Sequence, residues 1–163
     1  MFFKKKTKIL FDGNNSIYND EYISFSIDGE WEDNSDKQNI SLMHKSKTET
    51  IEITYQIAKR APLSKDNIIE TIVKNIEARI NLLQLRSNRN FSFDEPIYEE
   101  QNLSYNVEIN GENSEDNVFV AIKIFGRSNL IIIISHYVFG SFNKNKISEF
   151  NKQMWQQIWT LTI

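Results

Sequence analysis

The run Leu130-Ile131-Ile132-Ile133-Ile134 decides how this chain is built. It is far below the roughly 20 apolar residues that span a bilayer, and shorter than an ordinary helix. Four of its five side chains are β-branched, which favours a strand. A strand that is apolar at consecutive positions is apolar on both faces, so its sheet must be covered on both sides. One helix cannot do that. The remaining sequence has to supply two layers.

Immediately upstream, Gly126 to Asn129 reads as a turn, and Val118, Val120, Ile122 and Ile124 recur at strand period before it. Leu103, Tyr105, Val107 and Ile109 alternate with Ser104, Asn106, Glu108 and Asn110. These two runs predict a long hairpin whose polar tip occupies 110–117 and opens at Asn110-Gly111. Earlier still, 22–27 alternates apolar and polar, a weaker strand covers 38–44, and 50–58 places Ile51, Ile53, Tyr55 and Ile57 on one face. The acid-rich stretch 28–36 reads as a solvated loop, with Trp31 packing into the core beneath it.

The two covering layers are legible as helices. Ser64 is suited to cap the first, and Asp66 to sit at the positive end of its dipole. Ile68, Ile69, Ile72, Val73, Ile76, Ile80 and Leu83 fall within an arc of roughly 140° at helical spacing. Glu70, Lys74, Glu77 and Asn81 lie opposite, and Arg86 to Asn90 ends the element. The second helix carries Ile147, Phe150, Met154, Ile158 and Leu161 within roughly 60°. The order is strands, helix, strands, helix. It predicts an α+β domain, an antiparallel sheet with helices packed on both faces (an α/β/α sandwich). The expected extent is one domain over 1–163, with 1–8 a frayed basic end.

The chain has 163 residues, 40% hydrophobic and 25% charged, with a formal net charge of −3. That composition suits a folded domain and gives no global attraction to nucleic acid or anionic lipid. There are no cysteines, which removes disulfides, thiolate metal sites and cysteine nucleophiles together. Heavy use of Ile, Asn and Lys is the habit of an AT-rich genome and points to a bacterial source. Met1-Phe2-Phe3-Lys4-Lys5-Lys6 has the charges of a signal peptide, but Lys8, Asp12, Asn14 and Asn15 interrupt the apolar region that should follow. The expected location is the cytoplasm.

Phe25-Ser26-Ile27-Asp28-Gly29-Glu30-Trp31 is similar to the opening strand Phe-x-Ile-Pro-x-Gly-Trp of the PsbP-like superfamily. Asp28 stands where the proline is expected, and Glu30 splits the Gly–Trp pair. The element order resembles that superfamily from about residue 20 to the end. The superfamily includes the Ran-binding Mog proteins, the DcrB lipoproteins and the Eag chaperones of type VI secretion. The resemblance implies a PsbP/Mog-like fold used for binding and not for catalysis.

The residues agree with a binding role. His44 and His136 are the only histidines, and neither belongs to a zinc-ligand spacing. A triad around Ser135 and His136 fails because neighbours on a strand point to opposite faces. The expectation for His136 is a strand histidine with a local hydrogen bond. No Walker A motif, Gly-x-Gly-x-x-Gly or nucleophile elbow is present. The pairs Asp94-Glu95 and Glu99-Glu100 lie in a polar segment without the burial that would raise a pKa. No enzyme activity, cofactor or metal is expected.

Two surfaces remain as candidates. From Asn90 to Ile122 there is no Lys or Arg, while Asp94, Glu95, Glu99, Glu100, Glu108, Glu112, Glu115 and Asp116 contribute eight acids. They read either as solvated charges that guard a sheet edge or as a face that steers a basic partner. Trp155 and Trp159 lie one helical turn apart, roughly 80–120° off the apolar stripe. They either complete the core or anchor a partner. The cluster Lys4, Lys5, Lys6 and Lys8 is weak ground for nucleic-acid binding. The expected partner is another protein, a toxin or effector of basic character, with neither nucleic acid nor membrane involved and a homodimer possible. An immunity protein that neutralises a secreted toxin is the leading expectation. An Eag-like chaperone, which would need an exposed apolar groove, is the alternative.

Overall fold

A computed structural model describes residues 8–20, 23–36, 39–57, 63–87, 90–101 and 104–161, apart from the side chains of 101 and 159–161. Six strands come first: β1 (Ile9–Phe11), β2 (Asn15–Asn19), β3 (Ser24–Asp28), β4 (Trp31–Asp33), β5 (Ile40–His44) and β6 (Glu49–Ile57). Helix α1 (Lys65–Arg86) follows. Then come β7 (Phe91–Phe93), β8 (Ile97–Gln101), β9 (Ser104–Asn113), β10 (Val118–Arg127), β11 (Leu130–Phe139) and helix α2 (Lys144–Leu161). Ser64 caps α1 by accepting from the Asn67 amide at 3.2 Å.

The large sheet runs β4-β5-β6-β11-β10-β9-β7, with β8 also pairing β9, and every ladder is antiparallel. The doubly apolar strand sits near its middle. Ile131 and Ile133 face α1 in a core with Ile68, Ile72, Ile76, Val107, Ile122 and Ile124. Ile132 and Ile134 face the opposite way, towards Met154 and Ile158 of α2. Both faces are covered, as the unbroken run requires.

Three features differ from the sequence expectation. The second face is shared: β1, β2 and β3 form a separate antiparallel sheet that packs beside α2, burying Ile9, Tyr18, Phe25 and Ile27. The strand expected over 22–27 belongs to this small sheet, and Lys8 is tied in by an Asn19 amide bond to its carbonyl (2.9 Å). Residues 1–7, including Lys4, Lys5 and Lys6, lie outside the described part. The Gln157 side chain bonds both the amide and the carbonyl of Ser26, acting as a substitute strand neighbour for β3.

The stretch 28–36 contains a strand, β4, whose Trp31 is 3% exposed. Gly29 before it adopts φ +90°, and an added Cβ would lie 2.7 Å from His44 Nε2, so only glycine fits this turn.

The hairpin tip is also shorter than expected. β9 continues to Asn113, and the turn occupies 114–117. Gly111 starts no turn. It pairs with Phe93 across β7, whose ring lies where a Cβ would be, at 2.6 Å. Asn-Gly is a turn signal only when the partner strand ends there, and β7 does not end there.

Candidate functional site

The acids of 94–116 do not form one bare face. Glu100 pairs with Lys65 of α1 at 3.1 Å, Glu108 faces Lys123 of β10 at 3.8 Å, and Glu112 pairs with Lys144 at the start of α2. All three lysines come from outside the lysine-free stretch. Asp94, Glu95 and Glu99 are exposed and make no ion pair among the described residues, and neither do Glu115 and Asp116 in the turn after β9. Glu115 accepts from Asn90 at 2.8 Å, and Asp116 from Asn113 at 3.0 Å.

Sequence periodicity missed β7 and β8. Both pair with β9, one after the other along the same edge, with Asp94-Glu95-Pro96 between them. Among the described residues no strand lies outside β8. This edge exposes Ile97 by 58% and Tyr98 by 55%, between Glu95 and Glu99. The strand pattern is faint because an edge strand buries little, so its apolar residues are not selected at period two.

Trp155 corrects the second surface. It is 5% exposed and belongs to the core with Phe119 and Phe125, so it is no exposed anchor in this chain. Lys123 lies beside it, 8% exposed, with its ammonium 5.1 Å from the Trp155 ring centre and 5.6 Å from that of Phe125. Burial pushes the Lys123 pKa down, against the pull of Glu108. The helical-wheel offset was real, but the flank it points to is covered by the sheet. The Trp159 side chain lies outside the described part.

The most structured polar group was not legible from spacing. His136 of β11 is fully buried, with Nδ1 at 2.8 Å from Asn151 Oδ1 of α2 and Nε2 at 3.2 Å from Glu49 Oε1 of β6. The expected local bond is replaced by bonds to two distant elements. Asn151 is 1% exposed, and the Glu49 side chain 28%. Phe150 packs on the imidazole at 5.1 Å and stacks on Trp31 at 6.1 Å. Trp31 also meets His44 edge-on at 5.1 Å. The hydrogen bond from His136 holds the Glu49 carboxyl below its ordinary range despite partial burial. Both histidines and Trp31 therefore converge on one end of α2.

This end opens into a cleft of about 390 Å³, reached by Asp28, Glu49, Lys146, Glu149 and Phe150. Glu49 is the only member of the buried relay that lines it. The relay lacks a nucleophile, since Ser135 follows Ile133 onto the opposite face of β11. Among the described residues no group of three or more His, Asp or Glu is placed to hold a metal ion. No helix among them is long and apolar enough to cross a membrane.

The layers define a PsbP-like α/β/α fold. The chain is similar in three dimensions to the cyanobacterial PsbP (CyanoP) of Synechocystis sp. PCC 6803, known from a solution structure, with a TM-score of 0.63. The match covers 91% of this chain and 93% of that one at 7% sequence identity, so it is a likeness of fold alone. No protein-family profile matches the sequence, and no curated protein matches it.

Proposed function

We propose that this chain is a non-catalytic protein-binding domain that receives a basic partner along the β8 edge. The leading form of that role is a bacterial immunity protein acting on a secreted toxin. One observation carries the reading: β8 has no strand outside it among the described residues and exposes Ile97 and Tyr98 beside Glu95 and Glu99, which form no ion pair there. An apolar centre with a charged rim is the ordinary anatomy of a transient interface. Two copies meeting edge to edge would set Glu95 and Glu99 against like charges, which favours a basic partner over self-association. The chaperone alternative has less support. The face of β6 towards α1 carries Thr50, Glu52, Thr54 and Gln56, and the hollow of about 380 Å³ beside it mixes Leu83, Phe91 and Tyr137 with Glu52, Arg86 and Asp116.

Glu100 and Glu112 are already paired with lysines, so they are poor probes of steering. The informative change is Glu95→Lys with Glu99→Lys. Co-purification with neighbouring gene products identifies the partner, and stopped-flow association then reads the effect. The expected result is association at least about tenfold slower at low salt, with the difference shrinking as salt rises. An unchanged rate, or the absence of any partner whose toxicity co-expression relieves, removes the immunity reading.

A further inference from the structure

The relay from Asn151 through His136 to Glu49 is not needed to hold β6, β11 and α2 together. Well-packed apolar side chains would do so as well or better, because a buried polar set costs desolvation. What the relay does is fix one carboxylate. Glu49 Oε1 is engaged by His136, and the side chain, still 28% exposed, reaches the cleft beside α2. Held below its ordinary pKa, that carboxyl is a permanent anion and a poor proton carrier at neutral pH.

The lining around it is net acidic among the described residues. Asp28 and Glu149 are exposed carboxylates on its walls, against the single cation Lys146. None of these three makes an ion pair among the described residues. Asp28 is positioned through its carbonyl, which accepts from Trp31 Nε1 at 2.8 Å. One wall is the Phe150 ring, backed by Trp31 and so unable to turn away freely. A fixed carboxylate beside a supported aromatic face suits a planar cation, which can fork onto the one and stack on the other. A second hollow of about 210 Å³ shares Asp28, Phe150 and Gln153 and continues to Asn15 and Gln157. That gives length for an aliphatic stem.

We propose that this cleft receives an arginine side chain of the partner protein, its guanidinium on Glu49 and against Phe150. The inference rests on the protein-binding reading but not on the β8 edge, which is separated from Glu49 of β6 by β11, β10 and β9 in the large sheet. Arginine is favoured over lysine because only the guanidinium is planar and forked.

Amide NMR titration of the intact chain with acetyl-arginine amide, and separately with acetyl-lysine amide, tests it. Shifts should centre on Glu49, Phe150 and Gln153, saturate near a millimolar dissociation constant, and be about tenfold weaker for lysine. Glu49→Gln keeps an oxygen for His136 and should abolish the response, while Glu77→Gln, exposed on α1, leaves it intact. If Glu49→Gln folds poorly, Asp28→Asn with Glu149→Gln, both exposed, should weaken it instead. Equal responses to the two amides, shifts elsewhere, or binding retained in these variants overturns the proposal. Loss of this site with partner capture through β8 intact would remove the inference alone. Failure of the β8 charge reversal to affect capture would remove the reading above it.

Discussion

The α2 end of the molecule and the β8 edge both carry carboxylates and treat them in opposite ways. Glu49 is drawn partly inside and held by a buried histidine, which is itself held by a buried asparagine. Glu95, just before the edge strand β8, and Glu99 within it stand in solvent, while Glu100 and Glu112 meet exposed lysines. The first arrangement is over-determined and expensive to disturb. The second is loose, and exposed ion pairs of its kind contribute roughly 0–1 kcal/mol each. Charge that is fixed can select one ligand geometry. Charge that is loose steers many.

The largest expected break in this contrast is His136→Ala. It strands Asn151 and Glu49 in a poorly hydrated place, and chemical denaturation should show a loss of about 2–4 kcal/mol. A loss below about 0.5 kcal/mol, the scale of a surface change, would mean that the relay is not structurally tight. Next comes Gly111→Ala at the acidic edge, where the new methyl would press on the Phe93 ring at 2.6 Å. Overpacking there should cost about 1–3 kcal/mol and loosen β7, visible as faster amide exchange at Phe91–Phe93.

Acid sensitivity should also separate the regions. The folded pKa of Glu49 lies below its unfolded value, so its stabilisation is complete above the unfolded value and is lost as pH falls through the folded one. Thermal unfolding followed from neutral into acid should therefore show a steeper decline for the native chain than for Glu49→Gln. Parallel curves would place the charge of Glu49 outside the stability balance. The smallest effect belongs to Glu95→Lys with Glu99→Lys, which should move stability by no more than about 0.5 kcal/mol while changing surface charge. A larger shift would show that these acids are structurally engaged.

What sequence reading caught and missed follows the same division. The hairpin β9–β10, strand β11, and both helices announce themselves because their apolar residues recur at a period that burial enforces. The lysine-free acidic stretch was visible as composition. β4, β7 and β8 were not, since short edge strands borrow their pairing from a neighbour and carry no pattern of their own. His136 stood out only as one of two histidines. Its partners are 15 and 87 residues away, and no local spacing encodes them.

Leu130 to Ile134 determined by itself that the sheet needs a cover on each face, because consecutive aliphatic residues on a strand cannot be satisfied otherwise. Only the tertiary structure decided what those covers are: α1 on one side, α2 together with a small separate sheet on the other. Only it turned Trp155 inwards and set Glu49, His136 and Asn151 in line. Periodicity records which side of an element is buried. Which distant groups meet there depends on how the layers are stacked, and that follows from the packing of the whole chain.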